Sequence, residues 1–171
     1  MRLLVVYEQG GIYFDTDVEV INNIDFLLNE EAFIGFEIDG TEKQNGIVNT
    51  GQGFGAIPQS LAVEAMIEEY QGLMDGKQKL EGCPILNTRA MVNIGLKKGK
   101  GIQKLQYITV YPSEYFNPYE STTGRLNKTN STVSIHWYSG SWLSITQQIR
   151  GKISKPLHRI FGTDCFQKLR K

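Results

Sequence analysis

Apolar residues along this 171-residue chain recur in short blocks, and the spacing inside each block predicts its element. Leu3, Val6 and Tyr7 share a face at helical spacing, so residues 2–9 read as the last turns of a helix stopped by Gly10-Gly11. The Val and Tyr content keeps a strand open for the same residues. Residues 12–15 predict a short strand, and 18–21 a second strand or its continuation. "AFIGFEI", residues 32–38, alternates as a strand does. "GIVNTGQGFGAI", residues 46–57, mixes strand residues with four glycines, which predicts a backbone that bends or closely approaches something. "SLAVEAMIEEYQ", residues 60–71, is the clearest helix, with Ser60 as its cap. Residues 83–99 predict a second helix ending at glycine, 106–112 a strand closed by proline, and 117–131 a polar loop. Residues 131–142 predict a strand and a turn, followed by a basic helix.

Helical and strand patterns are mixed throughout, so the class is α/β or α+β. The length suits one domain of ordinary size, and no internal repeat or linker is visible. Two cysteines, Cys83 and Cys165, without metal-ligand spacing fit a reducing compartment such as the cytoplasm. No signal peptide and no run of about 20 apolar residues is expected.

The net charge of zero gives no basis for a nucleic-acid partner, yet it hides an asymmetry. Residues 143–171 carry seven Lys or Arg against one acid, Asp164, and residues 1–142 carry eleven against seventeen. The basic segment is read either as a solvated helix or as one that meets an anionic surface such as lipid headgroups, at the inner face of a membrane.

The chemistry concentrates in "GGIYFDTDVE". At strand spacing, i and i+2 share a face, so Asp15 and Asp17 are expected to project together from the end of the Ile12-Tyr13-Phe14 strand, with Glu19 adding a third acid. Two adjacent anions repel unless a cation joins them, and hard divalent cations take carboxylate oxygens and share them with substrate phosphates. The pattern therefore reads as a metal–diphosphate site; a plain surface turn is the alternative. Phosphatases of the haloacid dehalogenase type place D-x-D-x-Thr/Val after an apolar strand, but here Glu19 occupies the last position and two glycines break the strand.

The run from Arg2 through Tyr7-Glu8-Gln9-Gly10-Gly11-Ile12-Tyr13-Phe14-Asp15-Thr16-Asp17-Val18-Glu19 resembles the signature of the DXD sugar-binding glycosyltransferases. The group in question is the capsular-polysaccharide and mannosyltransferase family 32, related to the clostridial glucosylating toxins. A second segment, Ser134-Ile135-His136-Trp137-Tyr138-Ser139-Gly140-Ser141-Trp142, resembles that family's I-H-x-x-x-x-S-W segment. The resemblance implies an α/β GT-A fold, a Rossmann-like mixed sheet flanked by helices, with residues 1–142 as the catalytic domain and 143–171 as a basic helical tail. It implies Mn2+ or Mg2+ bound by Asp17, with His136 at the metal or diphosphate. Asp15 would contact the ribose or donor sugar, and the metal through water. Arg2 would meet the donor sugar or phosphate, Asn49 the sugar or acceptor, and Ser141 and Trp142 would close over the donor. The implied donor is a UDP- or GDP-hexose and the acceptor a glycan or lipid-linked hydroxyl, with retained anomeric configuration, in the synthesis of surface glycans such as capsule or lipopolysaccharide.

The family's usual N-terminal, nucleotide-binding part, including an Asp three residues before the arginine, has no counterpart here. The expectation is a shortened gene product, a segment of a longer chain, or a chain that completes its site with another subunit. A degenerate sugar-nucleotide-binding module without turnover is the alternative to an active enzyme.

Overall fold

In chain order the elements are α1 (Arg2–Gln9), β1 (Gly11–Tyr13), β2 (Val18–Val20), a 3-10 turn (Asp25–Asn29), β3 (Ala32–Ile38), β4 (Ile47–Ala56), α2 (Leu61–Met74) and α3 (Cys83–Asn93), then β5 (Gln103–Lys104), β6 (Thr109–Tyr111), the single turn α4 (Ser113–Phe116), β7 (Tyr119–Glu120), β8 (Arg125–Leu126), β9 (Ser134–His136) and α5 (Ile145–Phe161). The computed structural model describes residues 1–76, 79–140 and 144–162. The class is mixed α/β. The main sheet runs β1-β4-β3-β6-β5, parallel between β3 and β6 and antiparallel elsewhere. β2 and β9 form a separate antiparallel pair, as do β7 and β8.

Alternation in β3 divides the core. Ile34 and Phe36 face one layer, where they pack with Leu3 and Val6 of α1, Ala62, Val63 and Met66 of α2, and Ala90 and Met91 of α3. Phe33 faces the other, with Leu27, Tyr111, Phe116 and Val133. The helical reading of residues 2–9 holds because i, i+3 spacing buries Leu3 and Val6 against this sheet, which a strand would not do. Gly10 (φ 69) and Gly11 (φ 100) then turn the chain into β1, in backbone regions that side chains disfavour.

β4 fulfils the expectation of a bent glycine-rich strand. Adjacent residues Ile34 and Gly35 of β3 pair with Phe54 and Asn49, so Thr50 to Gly53 are looped out as a wide bulge. Gly51 inside this bulge accepts the Asp15 N–H on its carbonyl at 2.9 Å.

Several boundaries differ from expectation. Ser60 occupies the N-cap of α2, but its hydroxyl is buried and caps nothing; its carbonyl instead accepts from Val63 and Glu64. The second helix stops at Asn93, short of Gly99. Leu96 N–H bonds Met91 C=O and Gly95 N–H bonds Val92 C=O, the paired closure of a Schellman motif, with Gly95 at φ 109 and Leu96 buried. β6 begins only at Thr109, where pairing with β3 begins. The expected loop 117–131 contains the β7–β8 hairpin, whose two-residue strands are too short to leave a period in the sequence.

α5 starts at a capping box, with the Ser144 hydroxyl accepting the Gln147 N–H and the Gln147 side chain accepting the Ser144 N–H. It lies on the hairpin: Lys155 Nζ donates to Tyr119 Oη at 2.9 Å, and Arg159 donates to the carbonyls of Thr123 and Gly124. Of the expected basic tail, residues 143 and 163–171 lie outside the described residues. Among the described residues no helix is long and apolar enough to cross a membrane.

Phe116 is fully buried, stacked on Phe33 at 5.8 Å, and fills the space that Gly35 leaves open. Phe116→Ala is expected to cost about 3–5 kcal/mol, read as a lowered urea midpoint.

Candidate metal and sugar-nucleotide site

The site forms where β2 pairs with β9. Their register sets Val18 opposite His136 and Glu19 opposite Ile135. Trp137 N–H extends the ladder to the Asp17 carbonyl at 3.0 Å. Two motifs far apart in the chain thereby become neighbours.

Asp15 and Asp17 do converge, though not as i and i+2 of a strand. Residues 14–17 lie between β1 and β2, and a turn closed by Val18 N–H on Asp15 C=O (3.1 Å) brings the carboxylates round. One oxygen each from Asp15 and Asp17 and one nitrogen of His136 lie within 4.8 Å of one another. Glu19 stands apart from this cluster, because its carboxylate accepts the Trp137 indole N–H at 2.9 Å.

Each aspartate has its own compensating partner, so the two anions can share one place. Asp15 Oδ1 lies 2.9 Å from an Arg2 guanidinium nitrogen and accepts the Tyr13 hydroxyl at 2.8 Å. The same guanidinium stands over the Tyr13 ring, 5.0 Å from its centroid. Arg2 also lines an apolar cavity of about 310 Å³, together with Leu3, Thr50, Ile67, Tyr70 and Cys83 among others. Asp17 Oδ1 lies 3.2 Å from His136 Nε2, and Oδ2 accepts from the Ser139 N–H at 2.8 Å and the Ser139 hydroxyl at 3.1 Å. Burial pushes the Asp17 carboxyl up, but the Ser139 N–H, the His136 ring and the Ser139 hydroxyl together outweigh it and hold the group below its ordinary value. The His136 side chain is only 7% exposed, and its Nδ1 is buried with no partner among the described residues.

Sequence reasoning named Arg2, Asp15, Asp17 and His136, and the structure brings all four together. Asn49 lies beside them, donating to Glu37 Oε2 at 3.2 Å and accepting the Gly51 N–H at 2.8 Å. Ser141 and Trp142 lie outside the described residues. Three residues had been overlooked. Ser139 and Tyr138 fall inside the quoted I-H-x-x-x-x-S-W segment, at positions its pattern leaves unspecified. Glu37 is the penultimate residue of an ordinary-looking strand, with no local signal. A Cβ at Gly51 would run into the Asp15 carboxylate and press on Arg2, so the glycine gives the carboxylate its room.

The family model described as a glycosyltransferase sugar-binding region containing a DXD motif matches residues 1–34. No curated protein and no solved structure matches the chain. The match supports a DXD glycosyltransferase relationship for the N-terminal segment, and the mixed sheet flanked by helices is consistent with a GT-A-like fragment. A DXD region implies divalent-metal binding, with which two carboxylates and an imidazole are compatible.

Because Asp17 is held below its ordinary value of 3.8, its stabilising contribution is complete above that pH and is lost as pH falls through the lower folded value. The difference in urea midpoint between wild type and Asp17→Asn should therefore be present above the ordinary value of 3.8 and shrink as pH falls below it. Gly51→Ala should displace the Asp15 carboxylate and cost about 1–3 kcal/mol, measured in the same denaturation series.

Proposed function

We propose that the chain is a metal-dependent glycosyltransferase that moves a hexose from a UDP- or GDP-hexose to a hydroxyl of a glycan or lipid-linked acceptor, with retention, in surface polysaccharide synthesis. The observation that carries the reading is the convergence of His136 on Asp15 and Asp17, with Arg2 on Asp15; Arg2, Asp15 and Asp17 lie inside the segment matched by a DXD sugar-binding model.

Asp17 and His136 would hold the metal directly, and Asp15 would do so through water. The two carboxylates suit Mn2+ or Mg2+, both of which take carboxylate oxygens. When bound, the metal supplies charge neutralisation for the departing nucleoside diphosphate. Arg2, always protonated, adds a fixed cation for phosphate or sugar oxygens, and its bond to Asp15 holds it ready in place. Asn49, oriented by Glu37 and Gly51, presents its amide to a sugar hydroxyl. Ser139 keeps Asp17 ionised and aimed. In the reaction the bond from the anomeric carbon to the diphosphate oxygen breaks. The acceptor oxygen bonds to that carbon on the same face, and the acceptor's proton leaves with the diphosphate.

The reading places the protein in the cytoplasm, at the inner face of a membrane, with the basic residues of 143–171 toward anionic headgroups. Lys155 and Arg159 are committed to the hairpin, so that contact would rest on the other cations.

Donor hydrolysis and transfer should be measured with UDP- and GDP-hexoses in the presence of Mn2+ or Mg2+. Asp17→Asn is expected to lower the rate by at least about 100-fold, the scale of losing electrostatic stabilisation at a leaving group. Equal rates in the two proteins would sink the enzyme reading. Mn2+-dependent donor binding without turnover would identify a binding module.

A further inference from the structure

Glu37 stands at a point that nothing in the DXD motif specifies. β3 pairs with β4 through Phe36↔Val48 and then Ile38↔Ile47, so Glu37 is the extra residue of a bulge. Bulges re-aim a side chain, and this one is fixed further by Asn117 Nδ2, which donates to the Glu37 carbonyl at 3.1 Å. The carboxylate accepts two hydrogen bonds, one on each oxygen: from the Tyr138 hydroxyl on Oε1 and from Asn49 Nδ2 on Oε2, both at 3.2 Å.

Each bond leads to a different aspartate. Along one arm, Asn49 Oδ1 accepts the Gly51 N–H (2.8 Å), and Gly51 C=O accepts the Asp15 N–H (2.9 Å). Along the other, the Tyr138 ring lies 4.0 Å from the His136 ring, centroid to centroid, and His136 Nε2 is 3.2 Å from Asp17 Oδ1. Tyr138 has φ 49, a backbone region that a bulky residue adopts only at a cost. That turn presents the next N–H, of Ser139, to Asp17 at 2.8 Å. Its hydroxyl bond to Glu37 helps to anchor the strained residue.

We propose that Glu37 is a positioning residue of the metal and donor site. Its carboxylate ties Asn49 and the 50–53 bulge that follows it, which supports Asp15, to the 136–139 segment, which supports Asp17, and so sets the distance between the two limbs. The proposal rests on the metal-site reading given above, and its role for Glu37 is geometric, not that of a charge supplied to the metal. Glutamine can keep both bonds, because its carbonyl accepts from Asn49 and its amide donates to the Tyr138 hydroxyl oxygen. Methionine, of similar length, keeps neither.

The full chain is compared as wild type, Glu37→Gln, Glu37→Met and Tyr138→Phe. The probes are Mn2+ alone, titrated by electron paramagnetic resonance, and the metal-free amide and imidazole NMR spectrum. Glu37→Met is expected to weaken Mn2+ binding by about 10- to 100-fold, the usual scale for residues that orient metal ligands, and to shift the Gly51 and Ser139 amides together. Glu37→Gln should stay within about threefold of wild type, well inside that scale. Tyr138→Phe should move Ser139 and His136 signals and leave Gly51 in place. It also serves if Glu37→Met fails to fold. Equal loss in Glu37→Gln and Glu37→Met would assign the effect to charge and overturn the proposal. So would unchanged Gly51 and Ser139 signals in Glu37→Met, or an unchanged Ser139 signal in Tyr138→Phe. If wild type binds no Mn2+, the metal-site reading fails, while the metal-free spectra still decide whether Glu37 couples the two limbs.

Discussion

The antiparallel pairing of β2 with β9 is the contact on which the site depends. It is short, three residues on each strand, and lies outside the main sheet. Without it, Asp17 would lose the His136 ring and both donors of Ser139 and would face Asp15 as an uncompensated neighbour. The pairing gives the turn between β1 and β2 a partner that neutralises charge, so two carboxylates can be held within a few ångströms. The rest of the fold serves this junction. The β3 and β4 core anchors β1 on one side, and the Phe33, Phe116 and Val133 cluster lies beneath β9 on the other.

Compensation is divided unequally between the two aspartates. Arg2 comes from the first turn of α1 and leaves Asp15 29% exposed, whereas Asp17, at 13%, is satisfied by a buried imidazole and a serine. The more open carboxylate is held by a guanidinium that also stands over the Tyr13 ring. The more enclosed one is held by the His136 ring and by both donors of Ser139. This division comes from which secondary-structure elements flank each residue.

Much of this was legible before any coordinates. The helix ahead of the double glycine, β3, the bent β4 and α2 follow from period and glycine placement, and the meeting of the two motifs at one site is what the family resemblance implies. Other parts were not. Asp15 and Asp17 meet through a turn, not a strand, because the Val18 N–H closes back on the Asp15 carbonyl. The second helix stops at Gly95 because a Schellman closure forms there and buries Leu96. Glu19 was grouped with the metal acids by spacing alone, yet the indole of Trp137 takes it. Glu37 carried no signal, since one carboxylate at a strand end is commonplace until a bulge turns it inward.

Sequence by itself determined the residue types: two carboxylates, a guanidinium, an imidazole and the glycines that give them space. It also determined the local elements, because hydrophobic period and glycine placement act over a few residues. Tertiary structure decided which oxygen meets which donor. The β2–β9 register, the four-residue bulge in β4 and the turn at Tyr138 are set by contacts between segments up to about 120 residues apart, whose closure depends on the packed core and not on any local preference.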